Sequence, residues 1–301
     1  MSGVLWGLAG AVFIGGSDCV ARVTSQRLAP TVLVFWVMAF STAALTLGLS
    51  ISGHWPPWHV WGWVSSAVSG VLNVVALVLL YKALARGPVA VASTAASTFT
   101  VLLVLINIAA GAAWSWLQII ATAIVFLGIS QLARKSSEPG VDDHYSAQWL
   151  RTTALLGLGT AAAVSLRMFL AQESGDALGS VEALYLNRVF ATLAAAIVVF
   201  WPVFLPSLRS ATAAGSAIVI RDYRLALLVL FQAALETAAL GVFLAGSGDD
   251  GRIGAAIGFS AFAATTALFA RVFLGEKIGW RRSLWIGIVL LGLSLAIVGA
   301  K

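Results

Sequence analysis

The 301 residues include one cysteine, three histidines and seven prolines, and only 10% are charged. Each scarcity removes a class of function. The single cysteine, Cys19, cannot close an internal disulfide. His54, His59 and His144 show no H-E-x-x-H or comparable metal-ligand spacing. The phosphate loop G-x-x-x-x-G-K-[ST] is missing, which argues against an ATP-driven pump within the chain. The letters G-x-G-D do occur at Gly246 to Asp249. Aspartyl chemistry in a membrane needs two carboxylates sharing a proton, however, and no earlier Tyr-Asp pair supplies the second, so the segment reads as a turn. No enzyme, metal or cofactor is expected.

Charge is the most telling shortage. A soluble domain carries ~25% charged residues, whereas here 60% of residues are hydrophobic and the mean hydropathy is +0.97. A water-soluble fold is excluded. Crossing a hydrocarbon core takes ~20 helical residues, and apolar run length gives ten such spans: 4–23, 28–51, 60–81, 89–110, 114–133, 150–171, 181–205, 223–245, 253–274 and 280–300. The first run has no basic segment ahead of it and no small-x-small cleavage site, so it reads as a retained helix. The expected class is an all-α, polytopic membrane protein with ten transmembrane helices. The expected partners are the lipid bilayer and a small-molecule substrate. The net charge of +6 sits at helix ends and is explained by topology, not by nucleic acid. The chain is expected to act as a monomer or homodimer.

The hairpin at the chain's end also occurs earlier. Shifted back by 164 residues (275 − 111), Gly251, Ala256, Gly275, Trp280, Ile288, Val289, Leu291, Gly292 and Ser294 fall on Gly87, Ala92, Gly111, Trp116, Ile124, Val125, Leu127, Gly128 and Ser130. This predicts two five-helix repeats, residues 1–133 and 150–301, joined by a polar linker at 134–149. Because five is odd, the copies cross the membrane in opposite senses, the plan of an inverted-repeat transporter. In the hairpin motif Gly275 can take the left-handed conformation that closes one helix, and Glu276 sits near the positive end of the next. Gly111 is the first-repeat counterpart.

Orientation is read from the loops. Thirteen Lys and Arg residues, from Arg22 and Arg27 through Lys277, Arg281 and Arg282, fall in odd-numbered loops, and only Arg252 and Lys301 fall opposite. The count places both termini outside the cytoplasm.

A charge at mid-membrane costs ~2.5–3.5 kcal/mol on insertion scales, so each needs a partner, a cavity or a transport path. Asp18, Arg167, Arg188, Glu236 and Arg271 are the charges at depth, with Asn73, Asn107, Asn187 and Gln232 as neutral companions. Glu236, one turn beyond Gln232 in FQAALETAALGVF, is either a carboxylate that binds a proton or substrate, or half of an ion pair with Arg188 or Arg271. Asp18 has Arg22 one turn away, and both fit an interfacial i,i+4 pair. Arg271 is expected to snorkel near its hairpin. The candidate substrate and coupling residues are Glu236, Arg188, Asn187, Gln232, Asn73 and Asp18.

The run ALARGPVAVAS from Ala83, the run FLGEKIGWRRSLWIGIVLLG from Phe273 and the five-plus-five repeat resemble the EamA-type branch of the drug/metabolite transporter superfamily. Arg188 in LYLNRVFATL matches an arginine common in the second helix of each unit of that family. Three departures stand out. Ala112 replaces the first hairpin's glutamate, Met38 replaces the first unit's arginine at a shift of 150 (188 − 38), and the proline often found after A-L-x-x-G is absent. The resemblance implies alternating-access transport of small metabolites such as amino acids or drugs, proton-coupled and directed outward, in a cell membrane. It also implies cytoplasmic termini, against the charge count. A lipid or lipid-linked carrier flippase, and a non-transporting accessory subunit, are the rival readings.

Overall fold

The structure, a computed structural model, describes residues 3–87, 91–92, 95–96, 98–132, 146–200, 222–248, 251–275, 280, 283–285, 287–288, 291–292 and 295. Among these every regular element is a helix: α1 (Gly3–Thr24), α2 (Pro30–Ser52), α3 (Val60–Arg86), α4 (Phe99–Ala109), α5 (Trp116–Leu132), α6 (Ala147–Leu178), α7 (Ser180–Phe200), α8 (Tyr223–Ala245), α9 (Arg252–Phe259) and α10 (Phe262–Leu274). Among the described residues seven segments are long and apolar enough to cross a membrane. They are α1, α2, α3, α6, α7, α8 and the run Arg252–Phe273 that joins α9 to α10. The linker at 134–149 and the span at 280–300 lie largely outside the described residues.

Two helices outrun their apolar stretches. The span expected to stop at residue 171 continues through Gln172, Glu173, Ser174 and Asp176 to Leu178. These polar groups signalled an end, yet each finds a partner that lets the helix go on. Ser174 meets Ser66, Gln172 accepts from Asn107 Nδ2 at 3.0 Å, and Glu173 and Asp176 both pair with Arg252. Likewise α3 runs five residues past its expected end at residue 81, with Lys82 and Arg86 carrying charge at the boundary.

Glycine sets how closely α1 is held. A Cβ on Gly7 would press into the Ala255 carbonyl and the Phe259 amide, and one on Gly258 into the Val4 carbonyl. The backbones touch because neither has a side chain there. In lipid, where apolar contact offers no water to escape, such approach supplies dispersion that bulkier residues would forfeit.

Contact order along each helix gives its direction. Gly3, Gly7 and Gly15 meet Gly251, Ala255 and Thr265 in ascending order, so α1 runs parallel to α9 and α10. Gly62, Ser66 and Ser69 meet Leu178, Ser174 and Arg167 in descending order, so α3 and α6 are antiparallel. Arg22 Nη1 donates to the carbonyls of Leu84 and Ala85 at 2.5 and 2.8 Å, which brings the ends of α1 and α3 together. It follows that α6 runs opposite to α1.

Contacts also recur at fixed shifts. Gly7 lies against Ala255 and Phe259, and Gly157 against Ala92 and Ala96 (157 − 7 = 150; 255 − 92 = 259 − 96 = 163). Gly10 abuts the Ala239 carbonyl, and Thr160 Oγ1 donates to the Ala76 carbonyl (160 − 10 = 150; 239 − 76 = 163). Each fourth segment steps into an i to i+3 bond at the same place, Val101 N to Thr98 O at 3.2 Å and Ala264 N to Ala261 O at 2.9 Å. Such tightening inside a membrane span is a common mark of a hinge. Three residues touch their own counterparts: Thr42 Oγ1 and Thr192 Oγ1 at 2.8 Å, Met38 Sδ and Arg188 Nη1 at 3.2 Å, and the rings of Phe99 and Phe262 at 6.0 Å.

Candidate functional site

A cavity of about 50 Å³ lies where α1, α3, α6 and α8 meet Ala96, Phe99, Phe259 and Phe262. It has room for one or two waters, each of which occupies ~30 Å³ in the liquid. Helical spacing builds its walls. Ile14 and Asp18 face it from α1, Asn73, Leu77 and Leu80 from α3, Thr160, Val164 and Arg167 from α6, and Glu236 from α8. Phe99, Phe259 and Phe262 close one side. Phe262 directly follows Ala261 and Phe99 directly follows Thr98, so each hinge aims an aromatic ring at the cavity.

Glu236 is 4% exposed and held from two sides. Arg188, with no exposure at all, brings Nη1 to Glu236 Oε1 at 3.3 Å and donates from Nη2 to the Glu236 carbonyl at 3.1 Å. Tyr81 OH donates to Oε2 at 3.1 Å, Gln232 Nε2 donates to Tyr81 OH at 2.8 Å, and Thr24 Oγ1 donates to Gln232 Oε1 at 2.8 Å. A chain of hydrogen bonds thus runs from the end of α1 to a carboxylate on the cavity wall. Of the two partners the sequence allowed for Glu236, Arg188 is the one it meets; Arg271 is exposed.

The fixed shifts give this pair a neutral counterpart. Met38 corresponds to Arg188 and Asn73 to Glu236 (236 − 73 = 163), and Asn73 Nδ2 donates to Met38 Sδ at 3.4 Å. At these shifts an ion pair stands opposite an amide and a thioether.

Asp18 is buried, at 2% exposure, where it lines the cavity and accepts from Thr266 Oγ1 at 3.1 Å. The cause is the glycine-lined embrace of α1 by α8, α9 and α10, which buries the second half of that helix. Arg22 turns instead to the last carbonyls of α3.

The remaining candidates divide. Gln232 and Arg188 support Glu236 from behind without lining the cavity. Asn187 donates to Ser69 Oγ at 2.7 Å in the contact between α3 and α7, away from the cavity wall. Gly111 and Gly275, at φ 90° and 67°, close their helices in left-handed conformations and do not reach the cavity; Glu276 lies outside the described residues. Two further residues contribute. Arg167 is a charge at depth, and its helical spacing from Thr160 and Val164 places it on the face of α6 that lines the cavity. Tyr81, at the edge of its apolar run, gave no sign that it would donate to Glu236.

Residues 1–133 match the EamA-like transporter family. No curated protein matches the chain. Among 28 solved chains that do match, one titled only "Crystal structure of protein" aligns over 99% of this chain and 97% of its own, with a TM-score of 0.67 and 14% identity. That likeness is one of fold.

Proposed function

We propose that this chain, whose residues 1–133 match the EamA-like transporter family, is a secondary transporter that exports small metabolites across the cell membrane by proton-coupled alternating access. The observation that carries the reading is the cavity itself. Asp18, Asn73, Arg167 and Glu236 reach it from α1, α3, α6 and α8, so charge is held at membrane depth in a place that both halves build. Intramembrane ionisable groups gathered around a cavity mark a substrate or proton path.

The reading takes residues 1–133 and 150–301 as two inverted five-helix units around a two-fold axis in the membrane plane, with ten spans in all. Support comes from the opposite senses of α1 and α6, from contacts that recur at shifts of 150 and 163, and from the three residues that touch their counterparts. At about 50 Å³ the cavity is too small for a metabolite. Substrate entry therefore requires the helices to part, and the tightened turns at Thr98 and Ala261 stand beside the rings that would have to move. Glu236 serves as the proton-coupling group, being the carboxylate joined to a hydrogen-bonded chain.

The test is transport in liposomes holding the purified protein under an imposed pH gradient, with substrates drawn from a resistance screen in overproducing cells. Gradient-dependent flux supports the proposal. A protein that moves nothing in either assay would sink it and favour an accessory subunit.

A further inference from the structure

Arg167 is a cation on the cavity wall that stands outside the Arg188–Glu236 pair. Its residue is 9% exposed, it lines the cavity, and its Nε and Nη1 have no hydrogen-bond partner. Arg188, the other buried guanidinium among the described residues, is matched by Glu236. A guanidinium kept dry without an acceptor is costly, and it is retained where something else supplies the acceptor. The helix around it is not makeshift: Ser69 Oγ donates to the Arg167 carbonyl at 2.9 Å, which ties this turn of α6 to α3.

We infer that Arg167 seats the carboxylate of a substrate bearing a single negative charge and a short apolar body. The chemistry of the walls selects that class. A guanidinium offers two parallel N–H donors that match both oxygens of a carboxylate, and Nε with one Nη is such a pair. Once the helices part to admit it, Ile14, Leu77, Leu80, Val164 and the phenylalanine rings offer apolar surface for the rest of the molecule. Asp18 and Glu236 face the same space, so a second negative charge on the substrate would meet repulsion. Dicarboxylates and phosphate esters are thereby disfavoured. Asn73 Oδ1, which has no partner, is an acceptor placed for a neutral donor group on the same molecule. The assignment rests on the transporter reading above and names the substrate class of that cavity.

The experiment uses the full chain in lipid nanodiscs with radiolabelled isovalerate as probe, and succinate and isopentylamine as competitors of similar size. Saturable isovalerate binding is expected, displaced by benzoate and by neither competitor. Arg167→Gln should weaken binding by about tenfold or more, and Arg167→Lys, which keeps the charge and loses the fork, should weaken it by a smaller factor. Both variants are checked for monodispersity, and if the glutamine variant does not fold, the lysine variant decides. Absence of saturable isovalerate binding to the wild type, wild-type affinity in the variants, or displacement by isopentylamine as effective as by isovalerate overturns the inference. Parallel liposome flux separates the two readings. Flux of isopentylamine without flux of isovalerate removes the carboxylate assignment and leaves transport standing, whereas flux of no probe at all removes both.

Discussion

At the scale of single residues, the buried pair of Arg188 and Glu236 is where charge and stability meet. Replacing buried ions by matched neutral groups is often tolerated, but removing one partner strands the other, at a cost of about 3–5 kcal/mol. Glu236→Gln should therefore lower the melting temperature in detergent and abolish flux driven by a pH gradient. The neutral counterpart supplied by Met38 and Asn73 indicates the rescue. The double variant Arg188→Met, Glu236→Asn installs the first half's pair in the second half, and it should regain melting close to wild type while its flux no longer responds to pH. A double variant as unstable as the single one would show that the pair is held by more than its own charges. Wild-type pH dependence in the double variant would take Glu236 out of the coupling. The membrane charges were legible from the sequence because hydrocarbon makes each one conspicuous. Their partners were not, since 48 residues separate the pair (236 − 188) and only the fold brings them together.

At the scale of helices, close backbone approach governs what can be substituted. Gly258→Val would force a branched side chain against the Val4 carbonyl, and overpacking of this kind costs about 1–3 kcal/mol. Folded yield by fluorescence-detected size exclusion should fall. Gly48, on α2, has nothing within 4 Å of where its Cβ would lie, so Gly48→Ala should leave the profile within the ~0.5 kcal/mol range of surface changes. Equal losses from both would mean that the close approach at Gly258 is not what limits the packing. The sequence reading caught the apolar spans from their length. It missed the ends of α3 and α6, because local composition cannot see that Ser66, Asn107 and Arg252 satisfy polar residues from other helices. Nor did composition signal the i to i+3 steps at Thr98 and Ala261, which sit in ordinary runs of alanine and threonine with no proline to announce them.

At the scale of the whole molecule, the ends of the bundle differ in charge. Arg22 lies on the last carbonyls of α3, Arg86 stacks on Trp149 at 3.8 Å, and the opposite end holds the Arg252 contacts to Glu173 and Asp176. The loop count predicts that Lys301 is outside the cytoplasm, so a C-terminal alkaline phosphatase fusion should be active and a fluorescent protein fusion dim. The reverse result would favour the orientation that the family resemblance implies. The contact between Thr42 and Thr192 has a different consequence. If the two halves trade conformations in each transport cycle, every contact between unlike positions must be exchanged for its counterpart. A residue facing its own counterpart is a fixed point of that exchange, because swapping the halves returns the same contact. Cysteines at 42 and 192 in a Cys19→Ser chain should then crosslink under oxidation without slowing flux, whereas a pivot located elsewhere would be revealed by arrest. On this view one static arrangement already contains the geometry of its opposite, read by interchanging the two halves.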